Sequence, residues 1–141
     1  MSKKASPCTC LNLRRASKRL TDIYDQYLTS SMLSISQYSI LRHIHYLAPV
    51  NVSDLSIELR LDRTTLVRSL KPLEEKNLVE DISEDGTRNR ELQLTELGKR
   101  VYEEADLLWE KAQADLVEYL GKEDAEQFSR MLEKIENYSG S

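Results

Sequence analysis

The chain has 141 residues, 40% of them hydrophobic and 31% charged, with a net charge of −4 and two cysteines. A chain of this length forms one domain with a real hydrophobic core, and its two thiols, Cys8 and Cys10, lie too close together to staple a fold. It contains no apolar run near the ~18 residues that a membrane-spanning helix needs, and its polar start, Met-Ser-Lys-Lys, lacks the apolar core of a secretory signal, so a cytoplasmic protein with reduced cysteines and no membrane contact is expected.

The elements follow from the period of the apolar residues. Over 8–29, Leu13, Ala16, Leu20, Ile23, Tyr24, Tyr27 and Leu28 recur at spacings of three and four, which predicts a helix. Ser36 is the expected cap of a second helix, 37–47, with Ile40, Leu41, Ile44 and Leu47 inward and Pro49 ending it. Asn51 or Ser53 opens a short helix carrying Leu55, Ile57 and Leu59. Asp62 caps the next, 63–76, whose inner stripe is Leu66, Leu70 and Leu73, and Asn77 suits the left-handed residue that ends it. Pro72 lies inside that helix, removes one backbone hydrogen bond and predicts a local bend.

The period changes over 78–94. Leu92 and Leu94 alternate with Glu91 and Gln93 as in a strand, 78–83 is its partner, and Glu84-Asp85-Gly86-Thr87 forms the turn. Thr95 caps a long helix, 96–120, lined by Val101, Ala105, Leu108, Ala112, Leu116 and Leu120 and ended by Gly121. A last helix, 123–138, carries Ala125, Phe128, Met131, Leu132, Ile135 and Tyr138.

The charge is unevenly spread along this order. Residues 1–20 hold six bases and no acid, residues 60–71 hold Arg60, Arg63, Arg68 and Lys71 against Asp62, and residues 101–141 hold eleven acids against four bases. A mildly acidic chain still binds nucleic acid when its basic residues share one face. The plain alternative is a set of solvated helix faces.

Two short helices followed by a hairpin make a winged helix-turn-helix, so the predicted fold is mainly α with a small β-hairpin wing and a helical dimerisation region. A helix enters the DNA major groove, where each base pair shows a distinct donor and acceptor pattern, while a basic hairpin reaches the flanking minor groove. On helix 63–76, which Arg63 begins, Thr64, Arg68 and Lys71 occupy the expected outer face at spacings of four and three, with Thr65 and Ser69 beside them; all six are candidate DNA contacts. The wing offers Arg88, Asn89 and Arg90.

Three stretches carry a family resemblance: Leu61-Asp62-Arg63-Thr64-Thr65-Leu66-Val67-Arg68-Ser69-Leu70, Leu73-Glu74-Glu75-Lys76-Asn77-Leu78-Val79, and Arg88-Asn89-Arg90-Glu91-Leu92-Gln93-Leu94-Thr95 followed by Gly98. In their order and spacing they resemble the MarR (multiple antibiotic resistance regulator) family. Three positions depart from its pattern: Gly86 stands where a carboxylate often steadies the wing Arg, Ser56 where Ala is common, and Arg60 near a usual Gly.

The resemblance implies one domain over 1–141, in which 8–35 and 96–138 form the dimerisation region and 36–95 the winged helix-turn-helix. It further implies a homodimer that binds double-stranded DNA at a near-palindromic operator and acts as a transcription regulator, a repressor. Many relatives take aromatic ligands where the two regions meet, which points to Tyr24, Tyr38 and His43; the alternative is that these residues are core packing. A branch that senses organic hydroperoxides keeps one reactive cysteine at the start of the first helix, where Cys10 falls, and a tyrosine that Tyr24 matches, whereas Arg14 and Ile35 replace two others. Oxidation would take that thiol to a sulfenic acid, capped by a small thiol or a second cysteine; Cys8 is too near for an unstrained bridge.

Rival classes find little support. There is no Gly-rich phosphate loop and no nucleophile elbow. His43 and His45, two apart on a helix, point in different directions, and two cysteines without a matching His pair do not make a zinc site. No enzyme activity, metal or cofactor is therefore expected. An adaptor that kept the winged fold but lost DNA binding would lack the outer-face cations, which are present here.

Overall fold

The computed structural model describes residues 3–84 and 90–140. Its elements are α1 (Thr9–Tyr27), a 3-10 turn (Thr29–Ser31), α2 (Ile35–Leu47), β1 (Val50–Asn51), α3 (Val52–Leu59), α4 (Arg63–Glu75), β2 (Val79–Asp81), β3 (Glu91–Leu94), α5 (Glu96–Leu120) and α6 (Lys122–Glu136). The strands form one antiparallel sheet in the order β1-β3-β2, with Val50 opposite Leu92 and Val79 opposite Leu94. The mainly α fold with a small β wing is thus present. β1 is an addition: two residues after Pro49 are too few to show alternation in sequence.

Each helix start has a local cause. Ser34, not Ser36, caps α2. Its hydroxyl accepts the Gln37 amide at 3.1 Å while the Gln37 side chain accepts the Ser34 amide at 3.0 Å, a capping box that outcompetes a lone serine two residues on. Asp25 of α1 also accepts the Ile35 amide at 2.8 Å, tying the two helices together. Asn51 caps α3, Asp62 caps α4 and Thr95 caps α5. α4 runs through Pro72 to Glu75 and ends at Lys76, with Asn77 left-handed at φ 60°. α6 stops at Glu136, so Tyr138 lies beyond the helix and is exposed rather than part of its stripe.

The core gathers on the winged part. Leu41, Ile44, Leu55, Leu66, Leu70 and Leu73 are fully buried, so α2, α3 and α4 close on one another against β3 through Leu92. α5 joins this core through Tyr102 and Ala105. Beyond that point burial thins: α1 buries only Tyr24, and α6 buries none of its residues.

Gly98 sets how α5 meets the sheet. A Cβ there would lie 2.0 Å from the Leu78 carbonyl oxygen, so only glycine permits the approach. The same corner is stitched by the Thr95 amide donating to Leu78 at 3.1 Å and the Thr95 hydroxyl donating to the Asn77 carbonyl at 2.7 Å.

Candidate nucleic-acid interface

α4 is anchored on one side and open on the other. Leu66, Leu70 and Leu73 have no exposed surface, while Arg63, Thr64, Arg68 and Lys71 are exposed and Thr65 and Ser69 are partly so. The start of the helix is pinned. Asp62 accepts the Thr65 amide at 2.8 Å and the Thr65 hydroxyl at 2.7 Å, and these two bonds hold its carboxyl below the usual carboxylate range. The Arg63 guanidinium donates to Ser53 Oγ at 2.6 Å, which links α4 to α3. Arg60 makes the turn between the helices in a left-handed conformation, φ 54°.

Arg68 and Lys71 form no ion pair among the described residues. Between them and Thr64 lies Val67, 44% exposed. Sequence reasoning passed over Val67 because it is apolar, although its spacing of three from Thr64 and four from Lys71 puts it on the outer face.

At the wing, Arg88 and Asn89, and the expected turn from Asp85 to Thr87, lie outside the described residues. Arg90 is described, and it is occupied. Its Nη2 donates to Glu74 at 2.6 Å and its Nε to Asp81 at 3.1 Å, and these partners hold its guanidinium in the charged form. Asp81 accepts in addition from the Ser83 hydroxyl and amide and from the Glu91 amide. The Ser83 hydroxyl bond foremost, with the other bonds, lowers its carboxyl to about 2.

The three expected pocket residues do not come together. Tyr24 lines an apolar cleft of about 860 Å³ between α1, α5 and α6, shared with Leu20, Trp109, Leu116 and Phe128, and its hydroxyl donates to Gln113 at 2.5 Å. Tyr38 is instead core. Its ring stacks between Tyr102 and Trp109, and its hydroxyl donates to Asp106 at 2.5 Å; burial, and then that bond, raise its pKa. Arg42 donates to the same carboxylate at 3.1 Å and lies over Trp109. His43 is turned onto its own helix, its Nδ1 donating to the Ser39 carbonyl at 2.8 Å.

Both cysteines are exposed, and they differ in place: Cys8 is the N-cap of α1, its sulfur accepting the Leu11 amide at 3.5 Å, whereas Cys10 lies in the first turn. Among the described residues no group of three or more His, Cys, Asp or Glu converges to hold a metal ion, and no helix is long and apolar enough to cross a membrane.

The MarR family model matches residues 33–83, from the end of the 3-10 turn through β2. Over that stretch the chain is similar to the MarR family. Solved structures similar over most of the chain share its architecture. The M. tuberculosis transcriptional regulator MosR in complex with DNA is 28% identical, with 91% of this chain and 98% of MosR covered and a TM-score of 0.73. The transcriptional repressor CouR bound to a 23-mer DNA duplex is 22% identical, covering 95% and 99%, with a TM-score of 0.83. The S. aureus MepR–DNA complex is 22% identical, covering 94% and 98%, with a TM-score of 0.82. At 22% identity CouR and MepR speak for the fold alone. These neighbours are regulators of transcription or DNA complexes, not enzymes. No curated protein sequence matches the chain.

Proposed function

We propose that this chain is a double-stranded-DNA-binding transcription regulator that works as a homodimer on a near-palindromic operator and represses, in the cytoplasm. One observation carries the reading: α4 is clamped to the core by three fully buried leucines while the opposite face presents Thr64, Arg68 and Lys71 to solvent. Such a helix docks as a rigid body, and its cations meet phosphates and guanine edges without rearranging. Arg63, Thr65 and Ser69 flank that face, and Arg88 and Asn89, which lie outside the described residues, are proposed as further DNA contacts. In the dimer, formed by 8–35 and 96–138, the two α4 helices lie about one DNA turn (~34 Å) apart, which is why the operator is a near-palindrome.

Two effector classes fit. A small aromatic ligand finds Tyr24 and Trp109 at the end of the cleft lined by Ile35 and Ser39 of α2, leaving its α6 side to the second copy. An organic hydroperoxide finds two exposed thiols at the start of α1, with Cys10 the sensor and Cys8 its neighbour.

The test is binding to duplex DNA by anisotropy at low and high salt, since phosphate contacts release counterions and weaken steeply with salt. Against a selected operator, Arg68→Ala loses about 1–3 kcal/mol if it pairs a guanine. Salt-insensitive or absent binding by the native protein favours a protein-interaction adaptor and overturns the reading. In the same titration an organic hydroperoxide releases native protein but not Cys10→Ser; equal behaviour of the two removes Cys10 as the sensor.

A further inference from the structure

Arg90 was expected among the DNA contacts, yet its guanidinium already reaches two carboxylates on two different elements. Glu74 sits in the last turn of α4, seven residues before Asp81 of strand β2, and Arg90 immediately precedes β3. The three side chains are shielded to the same degree, 32% exposed for Arg90 and Glu74 and 31% for Asp81, so this is a half-buried network rather than a loose surface pair. One cation facing two anions leaves the cluster with a net charge of −1, a poor point of approach for a phosphate.

The network also sits where the β ladder runs out. Among the described residues the registered pairs end at Asp81 opposite Leu92, and the outermost backbone bond is Ile82 to Glu91 at 2.7 Å. Past that bond the Asp81 carboxylate takes over, accepting the Glu91 amide at 3.2 Å and the Ser83 amide at 2.9 Å. A hairpin this short does not hold its own angle. At its base it is held by the Thr95, Leu78 and Gly98 corner; toward the tip, among the described residues, the tie to α4 is Arg90 on Glu74.

We infer that Arg90 is a positioning residue, whose guanidinium ties both wing strands to the last turn of α4 and so sets the angle between the wing and the outward face of that helix, and that it does not itself contact DNA. The planar fork suits the task, because its separate N–H donors reach two carboxylates in different directions. This deepens the proposed function and rests on it: a fixed wing angle matters for binding only if α4 and the wing engage one duplex.

The experiment uses the full chain with Glu74→Gln, Arg90→Gln and the double substitution, all near-isosteric, with folding checked by circular dichroism. Binding to a random-sequence 30-base-pair duplex is followed over a salt series. As a positioning pair, either single variant weakens binding by roughly tenfold, the double variant weakens it no further, and the salt slope stays that of the native protein. A phosphate contact gives the opposite pattern. Arg90→Gln then lowers the slope by about 0.9, and Glu74→Gln tightens binding by removing a competing anion. A second readout needs no DNA: amide hydrogen exchange at Ile82 quickens by at least roughly tenfold in each single variant as the wing base loosens. If the native chain binds no duplex at any salt, the DNA reading fails while the exchange rates still decide the tie; unchanged exchange at Ile82 overturns it.

Discussion

At the scale of the residue, Asp81 shows how one carboxylate organises a strand exit. It accepts from the Ser83 hydroxyl at 2.6 Å, the Ser83 amide, the Glu91 amide and Arg90, so ionised oxygen is what this corner is built around. Its carboxyl is held at about 2, against an ordinary 3.8. Because the folded value is the lower one, its contribution to stability is fully present above the ordinary value and is lost as pH falls through the folded one. Native protein therefore loses urea resistance between about pH 4 and pH 2 more steeply than Asp81→Asn, which has no such proton to take up. Parallel pH profiles of the two would show that Asp81 is not ionised in these bonds. Thr65 illustrates the same economy on α4, where one residue donates to Asp62 through both its amide and its hydroxyl and leaves Arg68 and Lys71 to face outward.

At the scale of the element, the decisive joint is the one between the sheet and α5. Gly98 lets the first turn of α5 lie against the Leu78 carbonyl, and Thr95 bonds both Leu78 and Asn77 from the same turn. Gly98→Ala puts a methyl 2.0 Å from that oxygen, a backbone atom that cannot rotate away. α5 must then shift as a whole, and the Thr95 bonds stretch with it. The expected loss is about 3 kcal/mol, read as a lower urea midpoint with an unchanged slope. A loss under about 1 kcal/mol would mean the joint yields freely and does not set the helix. The joint also relays position: α5 carries Asp106 and Trp109 to Tyr38 and Arg42 of α2, so the winged part and the long helix move as a unit.

At the scale of the whole molecule, the apolar surface is unevenly used. The winged part closes a complete core, whereas α1, α5 and α6 enclose an open cleft of about 860 Å³ whose walls include Leu20, Leu116, Phe128 and Leu132. On α6, Met131 and Ile135 are 57% and 48% exposed. A large apolar surface of this kind marks an association site, and a second copy is the occupant in the proposed function. Native protein should behave as a dimer in light scattering at micromolar concentration, and Phe128→Glu with Leu132→Glu as a folded monomer that has lost operator affinity. A native monomer, or a variant that stays dimeric, would remove α6 from the dimer interface.

What could be read from sequence alone was whatever is decided within a few residues. The span of α4 followed from Asp62, the leucine period and Asn77, because caps and helix faces are written at spacings of three and four. The span of α5 followed in the same way from Thr95 and Gly121. Even the start of α2 is written locally, in Ser34 and Gln37, two residues before the serine expected to cap it. The tertiary structure alone decided the rest. β1 exists because β3 offers it an edge, Tyr38 is core because Tyr102 and Trp109 come to it from α5, and Arg90 is engaged because Glu74 and Asp81 arrive from two other elements. A side chain's partners across space leave no local period in the chain, since they depend on which surfaces close first and what each then has left to satisfy.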